Sequence, residues 1–164
     1  AASSASKEQS MKNRIVPIIL TLGFLAAPLA LSHLENAAFH QSYRQSLFAL
    51  LGANFGPMAS MVKGEIPWDD EQFMGWSEDL ARAARLDIMR GFPPGSEGGR
   101  TRAKPGIWKN TDDFAAKIED LRRETAAMAE TAGGGDKKAL LKQFQKTGGT
   151  CKSCHDEYKS KDYL

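Results

Sequence analysis

The sequence predicts an all-α fold, an antiparallel four-helix bundle, from three features. Four stretches of roughly 20 residues each repeat apolar side chains at three- and four-residue steps, the period of a half-buried helix. No strand-like alternation appears between them. The connections are short apart from one long Gly- and Pro-rich loop, which suits neighbouring helices that run up and down. With 164 residues, 41% apolar and 26% charged, the chain has one domain's length and an ordinary globular composition.

An N-terminal segment of different character precedes the bundle. Residues 1–10, AASSASKEQS, read as a small polar leader, disordered or carried over from a vector. In residues 11–32, Met11 is followed by Lys12 and Arg14, then by an uncharged apolar run from Ile15 to Leu31 that ends in small residues. That order of charge, apolar run and Ala30-Leu31-Ser32 fits a signal peptide. The run is ~17 residues, the short edge of a bilayer span, so a retained membrane anchor is the competing reading. Residues 33–164 form the predicted bundle. Residues 1–32 hold three of the 22 basic groups and one of the 20 acidic ones, so the rest of the chain is neutral. The formal charge of +2 gives little support to nucleic-acid binding.

The first helix is predicted over about 34–62, with Phe39, Tyr43, Leu47, Leu50 and Leu51 on its buried face. Gly52 and Phe55-Gly56-Pro57 are expected to weaken or bend it. The second, about 70–90, opens on a cap-like pair of Asp69 and Gln72 and carries a stripe of Phe73, Trp76 or Ser77, Leu80, Ala84 and Ile88. Ala81, Ala83 and Ala84 leave room for a partner or cofactor. Residues 91–109 contain five glycines and three prolines and are predicted to be an irregular loop, long enough to suggest a function beyond connection. The third helix, about 111–131, is capped by Asn110 or Thr111, has Asp112 and Asp113 at its positive end and stops at Gly133-Gly134-Gly135. The fourth, about 136–158, contains Gly148 and Gly149, which cost helix stability but let something bulky lie against the backbone.

The fourth helix ends in TCKSCHDEYK, residues 150–159, which holds both cysteines. A C-x-x-C redox dithiol belongs after a strand, and none is predicted here. A structural zinc site needs four protein ligands. Here Cys151, Cys154 and His155 give three, and His33 and His40 are far away in sequence. Covalent haem attachment uses all three residues at once. Each cysteine forms a thioether with a haem vinyl group, and His155 becomes the proximal iron ligand. A disulfide between Cys151 and Cys154 would close too small a loop to stabilise much. For the sixth position the candidates are His40, one of the methionines Met11, Met58, Met61, Met74, Met89 and Met128, or no side chain, and the pattern alone does not choose. No paired carboxylates or nucleophile–base set stands out, so the chain does not read as an enzyme.

From about Leu34 onward the sequence resembles the cytochromes c′. The matching stretches are YRQSLFALL (43–51), FGPMASMVKGEIPW (55–68), FPPGSEGG (92–99), PGIW (105–108) and GGTCKSCHDEYKSK (148–161). The resemblance implies a periplasmic four-helix bundle, usually a homodimer, with one covalent haem c. It implies Cys151, Cys154 and His155 as the haem-binding set, with His155 on the metal. It further implies Arg44 and Gln45 near the haem propionates, Glu97 at the haem edge and Lys159 beside the proximal face. Phe48 falls at the distal position, where members with an iron-ligating methionine are low-spin. Phenylalanine cannot ligate, so a five-coordinate, high-spin iron is expected, binding nitric oxide or carbon monoxide and undergoing one-electron redox with a periplasmic redox partner. The alternatives are a dedicated periplasmic electron carrier and a structural bundle with an incidental C-x-x-C-H. Membrane contact is expected only if residues 11–32 are retained as an inner-membrane tether.

Overall fold

The computed structural model describes residues 37–163, so the expectations for residues 1–10 and 11–32 lie outside the described residues. The elements are α1 (Ala37–Lys63), α2 (Asp70–Ala84), a 3-10 turn (Met89–Gly91), a single-turn α3 (Gly106–Lys109), α4 (Thr111–Gly133) and α5 (Lys137–Tyr158). The four long helices form the bundle, with α1 against α2, α2 against α4 and α4 against α5.

Local chemistry sets most boundaries. Asp69 N-caps α2 by accepting from the Gln72 backbone N–H at 2.9 Å, and Gln72 Nε2 donates to the other carboxylate oxygen at 2.9 Å. Asp136 caps α5 by accepting from the N–H groups of Lys138 and Ala139. Asn110 occupies the N-cap of α4 without a side-chain capping bond. Pro57 lies inside α1 and the helix continues through it. Ala53, whose carbonyl loses its usual donor there, is on the exposed side.

Three sequence expectations change. Helix α2 stops at Ala84 rather than near Arg90, because Arg122 reaches across from α4 and donates to the carbonyls of Ala84 and Leu86, both at 3.1 Å. Ile88 is still 1% exposed, delivered to the core by the turn rather than by a continuing helix. Leu50, expected on the buried face of α1, is 51% exposed. The loop at 91–109 is not wholly irregular: Gly106–Lys109 makes one helical turn after Pro105.

The core runs along the bundle through Met58, Phe73, Leu80, Ile118, Met128 and Phe144. Phe55 of α1 stacks on Phe144 of α5, ring centroids 4.7 Å apart. Helices α4 and α5 are also tied by polar bonds: the buried Thr147 hydroxyl and the Gln143 amide both donate to the Glu124 carbonyl. The long loop folds back on α1. A Cβ on Gly91 would stand 2.8 Å from Arg44 Cβ, so only glycine fits this approach. Gly99 has φ of +72°, and a Cβ there would collide with the Gln41 side chain. Beyond α5 the chain pairs with the same loop through an antiparallel bridge between Ala103 and Lys159. In it, Lys104 N–H donates to the Tyr158 carbonyl and Ser160 N–H to that of Arg102.

Candidate functional site

One cavity of about 610 Å³ opens between α1, α4, α5 and the long loop, a size typical of ligand pockets. Its floor is apolar and includes Leu51, Leu80, Ile107, Phe114, Ile118 and Leu121. Cys151, Cys154 and His155 line one wall, because positions three and four apart share a helix face. Both cysteines are free thiols. Burial raises both thiol pKa values, that of Cys154 to about 11, with Lys117 opposing the rise at Cys154. His155 is shifted the other way. Partial burial, then the charges of Lys159 and Arg102, lower its pKa and favour neutral imidazole, the form that binds metal.

Phe48 enters the same cavity from α1, half-buried and edge-on to Phe92 at 6.3 Å. Around it the wall is small or aromatic: Ala49, Gly52 and Phe55. Room for a flat group therefore comes from Ala49 and Gly52 of α1. Ala81, Ala83 and Ala84 pack in the core instead, and neither Gly148 nor Gly149 lines the cavity.

Arg44 is the most informative polar residue. It is 2% exposed, and its Nη1 donates to the carbonyls of Gly91 and Ser96, both at 3.0 Å. Its Nε and Nη2 are buried without a hydrogen-bond partner among the described residues. The guanidinium lies over the rings of Phe92 and Trp108, 5.4 Å from each. Burial lowers its pKa and the Glu97 charge opposes this. A buried cation with two unsatisfied donors is matched to an anionic ligand group. The residues present therefore fit a haem: paired thiols and an imidazole on one wall, an apolar bed, and an unsatisfied guanidinium for a carboxylate.

The remaining expected residues are placed differently. Gln45 lines the cavity, yet its amide donates to the Arg100 carbonyl at 2.9 Å, beside a similar bond from Gln41. Its bond holds the loop. Glu97 is exposed and outside the wall, acting on Arg44 only through its charge. Lys159 lines the cavity on the His155 side. Sequence reasoning missed Thr101, Arg102, Lys117 and Tyr163, which also line it. The signal available for the first two was the unusual loop that contains them. Tyr158 is buried, and its hydroxyl donates to Asp113 at 2.6 Å.

None of the methionines among the described residues lines the cavity. Met58, Met61 and Met128 are buried in the core. His40 donates from Nδ1 to the Arg90 carbonyl at 3.0 Å and is also outside the lining. Met11 and His33 lie outside the described residues. No group of three or more His, Cys, Asp or Glu able to hold a metal occurs among the described residues. No helix there is long and apolar enough to cross a membrane.

The family model described as Cytochrome C′ matches residues 40–159. A cytochrome c′ from Cereibacter sphaeroides is 34% identical over 146 residues, covering 87% of this chain and 97% of that one. A solved cytochrome c prime from Shewanella frigidimarina superposes with a TM-score of 0.74 at 36% identity, over 77% of this chain and 98% of its own. A nitric oxide complex of a cytochrome c prime variant from Alcaligenes xylosoxidans does so with a TM-score of 0.69 at 33% identity, over 77% and 98%.

Proposed function

The chain belongs to the cytochrome c′ family, whose members carry one covalent haem c, and from that premise we propose a periplasmic, five-coordinate haem protein that binds nitric oxide or carbon monoxide and exchanges single electrons. Cys151 and Cys154 are the attachment thiols and His155 the single protein ligand of the iron. A haem held there would supply one-electron chemistry and a position for a small neutral ligand. Family membership removes the reading of an incidental C-x-x-C-H. Gas binding is supported by the nitric oxide complex of the Alcaligenes relative.

The observation that carries the five-coordinate reading is the composition of the cavity wall. His155 is the only histidine among the described residues that lines it, no methionine does, and Phe48 stands beside Ala49 and Gly52 on α1. A phenyl ring excludes water and bulky ligands from that side and offers no lone pair to iron. His155 is held at the cavity wall by α5 and kept neutral by its surroundings. Arg44 anchors an anionic edge through its unsatisfied nitrogens. Lys159 gives the His155 side a positive charge, able to stabilise a polar ligand there.

Absorption and electron paramagnetic resonance spectra of the ferric holoprotein test this. A high-spin signal is expected, and a low-spin spectrum with methionine or bis-histidine ligation would sink the assignment. Electron carriage as the sole role is the second reading. It requires an iron that gives no response to nitric oxide.

A further inference from the structure

The long loop and the C-terminal residues are far apart in sequence, yet the bridge between Ala103 and Lys159 lays them side by side. The bridge gathers five cations: Arg100, Arg102 and Lys104 from one strand, Lys159 and Lys161 from the other. Arg102 and Lys159 line the cavity. Arg100 lies over Tyr163, itself a lining residue, at 4.9 Å, and Lys104 Nζ donates to the carbonyl of Asp156, the neighbour of His155. None of the five has an ion-pair partner among the described residues.

The rest of the surface is different. Arg82 pairs with Glu78 and Asp79, Arg122 with Glu119, and Arg123 with Asp120 and Glu124. The acids nearest the cluster are already engaged, Asp156 with Lys152 and Glu157 with Lys117. Within the two segments, 91–104 and 155–163, the acids without an ion-pair partner among the described residues are Glu97 and Asp162, against five positive charges. Like charges gathered at one bridge repel, more strongly at low salt, so the cluster lowers stability while nothing binds it. Arg44, being buried inside the cavity, is a separate cation for an internal anion.

We infer that this rim is the docking surface for the acidic face of a one-electron partner protein. The inference rests on the redox reading above and names the partner's chemistry. Two of the charges, Arg102 and Lys159, line the cavity and act on His155, so an acidic protein guided to the cluster arrives beside the redox centre. Complementary charge accelerates such encounters and makes them sensitive to salt.

Stopped-flow reduction of the ferric holoprotein tests this with two donors of opposite charge. Reduced plant-type ferredoxin, a strongly acidic protein, loses one electron from its cluster and the haem iron gains it. The methyl viologen radical cation gives the same electron from a positive molecule. The triple variant Arg100→Gln, Lys104→Gln, Lys161→Gln removes cations that do not line the cavity. The expected ferredoxin rate falls about 10-fold between low and physiological salt, and about 10-fold in the variant at low salt. The viologen rate stays within about twofold or rises. A ferredoxin rate indifferent to salt and to the substitutions overturns the inference and leaves the redox reading intact. Equal losses with both donors also overturn it, because the substitutions would then act on the haem itself. Failure of both donors to reduce the wild-type protein overturns the redox reading and this inference together. If the triple variant does not fold, Lys161→Gln alone, a cation that does not line the cavity, repeats the comparison. Sedimentation with phosphatidylglycerol vesicles that is lost in the variant assigns the rim to lipid instead and overturns the protein partner.

Discussion

Phe48 and Tyr158 show how two side chains that line one cavity do different work. Phe48 is half-buried and meets Phe92 edge-on, so truncation opens space without breaking a polar network. Phe48→Ala is expected to raise carbon monoxide affinity about 10-fold, in line with ~1.4 kcal/mol of relieved crowding. A titration followed in the Soret band measures it, and unchanged affinity would show that the ring does not crowd the iron. Tyr158 acts through a proton. Burial, then its bond to Asp113, raises its pKa above the usual tyrosine value. A raised folded-state pKa means the stabilisation is complete below about pH 10, where the unfolded tyrosine is still protonated, and is lost as pH rises toward the folded value. Tyr158→Phe should flatten the alkaline limb of the stability curve, read by denaturant midpoints from pH 8 to 11. At this scale the sequence is informative where chemistry is local. Cys151, Cys154 and His155 are recognisable because one helical turn fixes their relation. Arg102 and Tyr163 are not, because a bridge between distant segments brings them to the cavity. Gln45 could be placed on α1 from sequence, but not its bond to the Arg100 carbonyl.

Among the elements, α4 and α5 can be read almost to their ends, since Asp136 and the three glycines at 133–135 are local stop and start signals. The end of α2 cannot be read this way. The apolar period runs on to Ile88, while the event that stops the helix is Arg122, nearly forty residues later. The same residue gives the test. Arg122→Met keeps the side-chain stem and removes the donors to the Ala84 and Leu86 carbonyls. A loss of about 1 kcal/mol is expected, or roughly 2–4 °C in Tm. Faster amide exchange should be confined to residues 85–88. Uniform acceleration along α4 would show instead that Arg122 stabilises its own helix through Glu119. Leu50 is the counterpart on α1. Its spacing is that of a buried residue, but α1 is apolar on more than one side, and periodicity alone cannot say which side meets the bundle.

For the whole molecule, a homodimer packed through α1 would bury that exposed side. Ser46, Leu50 and Ala53 lie one or two turns apart, are exposed and carry no charge. In a homodimer, Leu50→Glu should shift sedimentation from two chains to one and leave the haem spectrum unchanged. A wild-type protein that sediments as a monomer at high concentration would remove the dimer. The architecture itself followed from period and loop composition, whereas the shape of the cavity did not, because its wall is assembled from segments far apart in the chain. That wall also imposes an order in time. A ribosome makes α1, α2 and α4 long before residues 158–160 emerge to pair with 102–104. The wall that carries the thiols thus follows the helices that floor the cavity in the order of synthesis, so a bed for a large flat guest exists before the groups that would hold it.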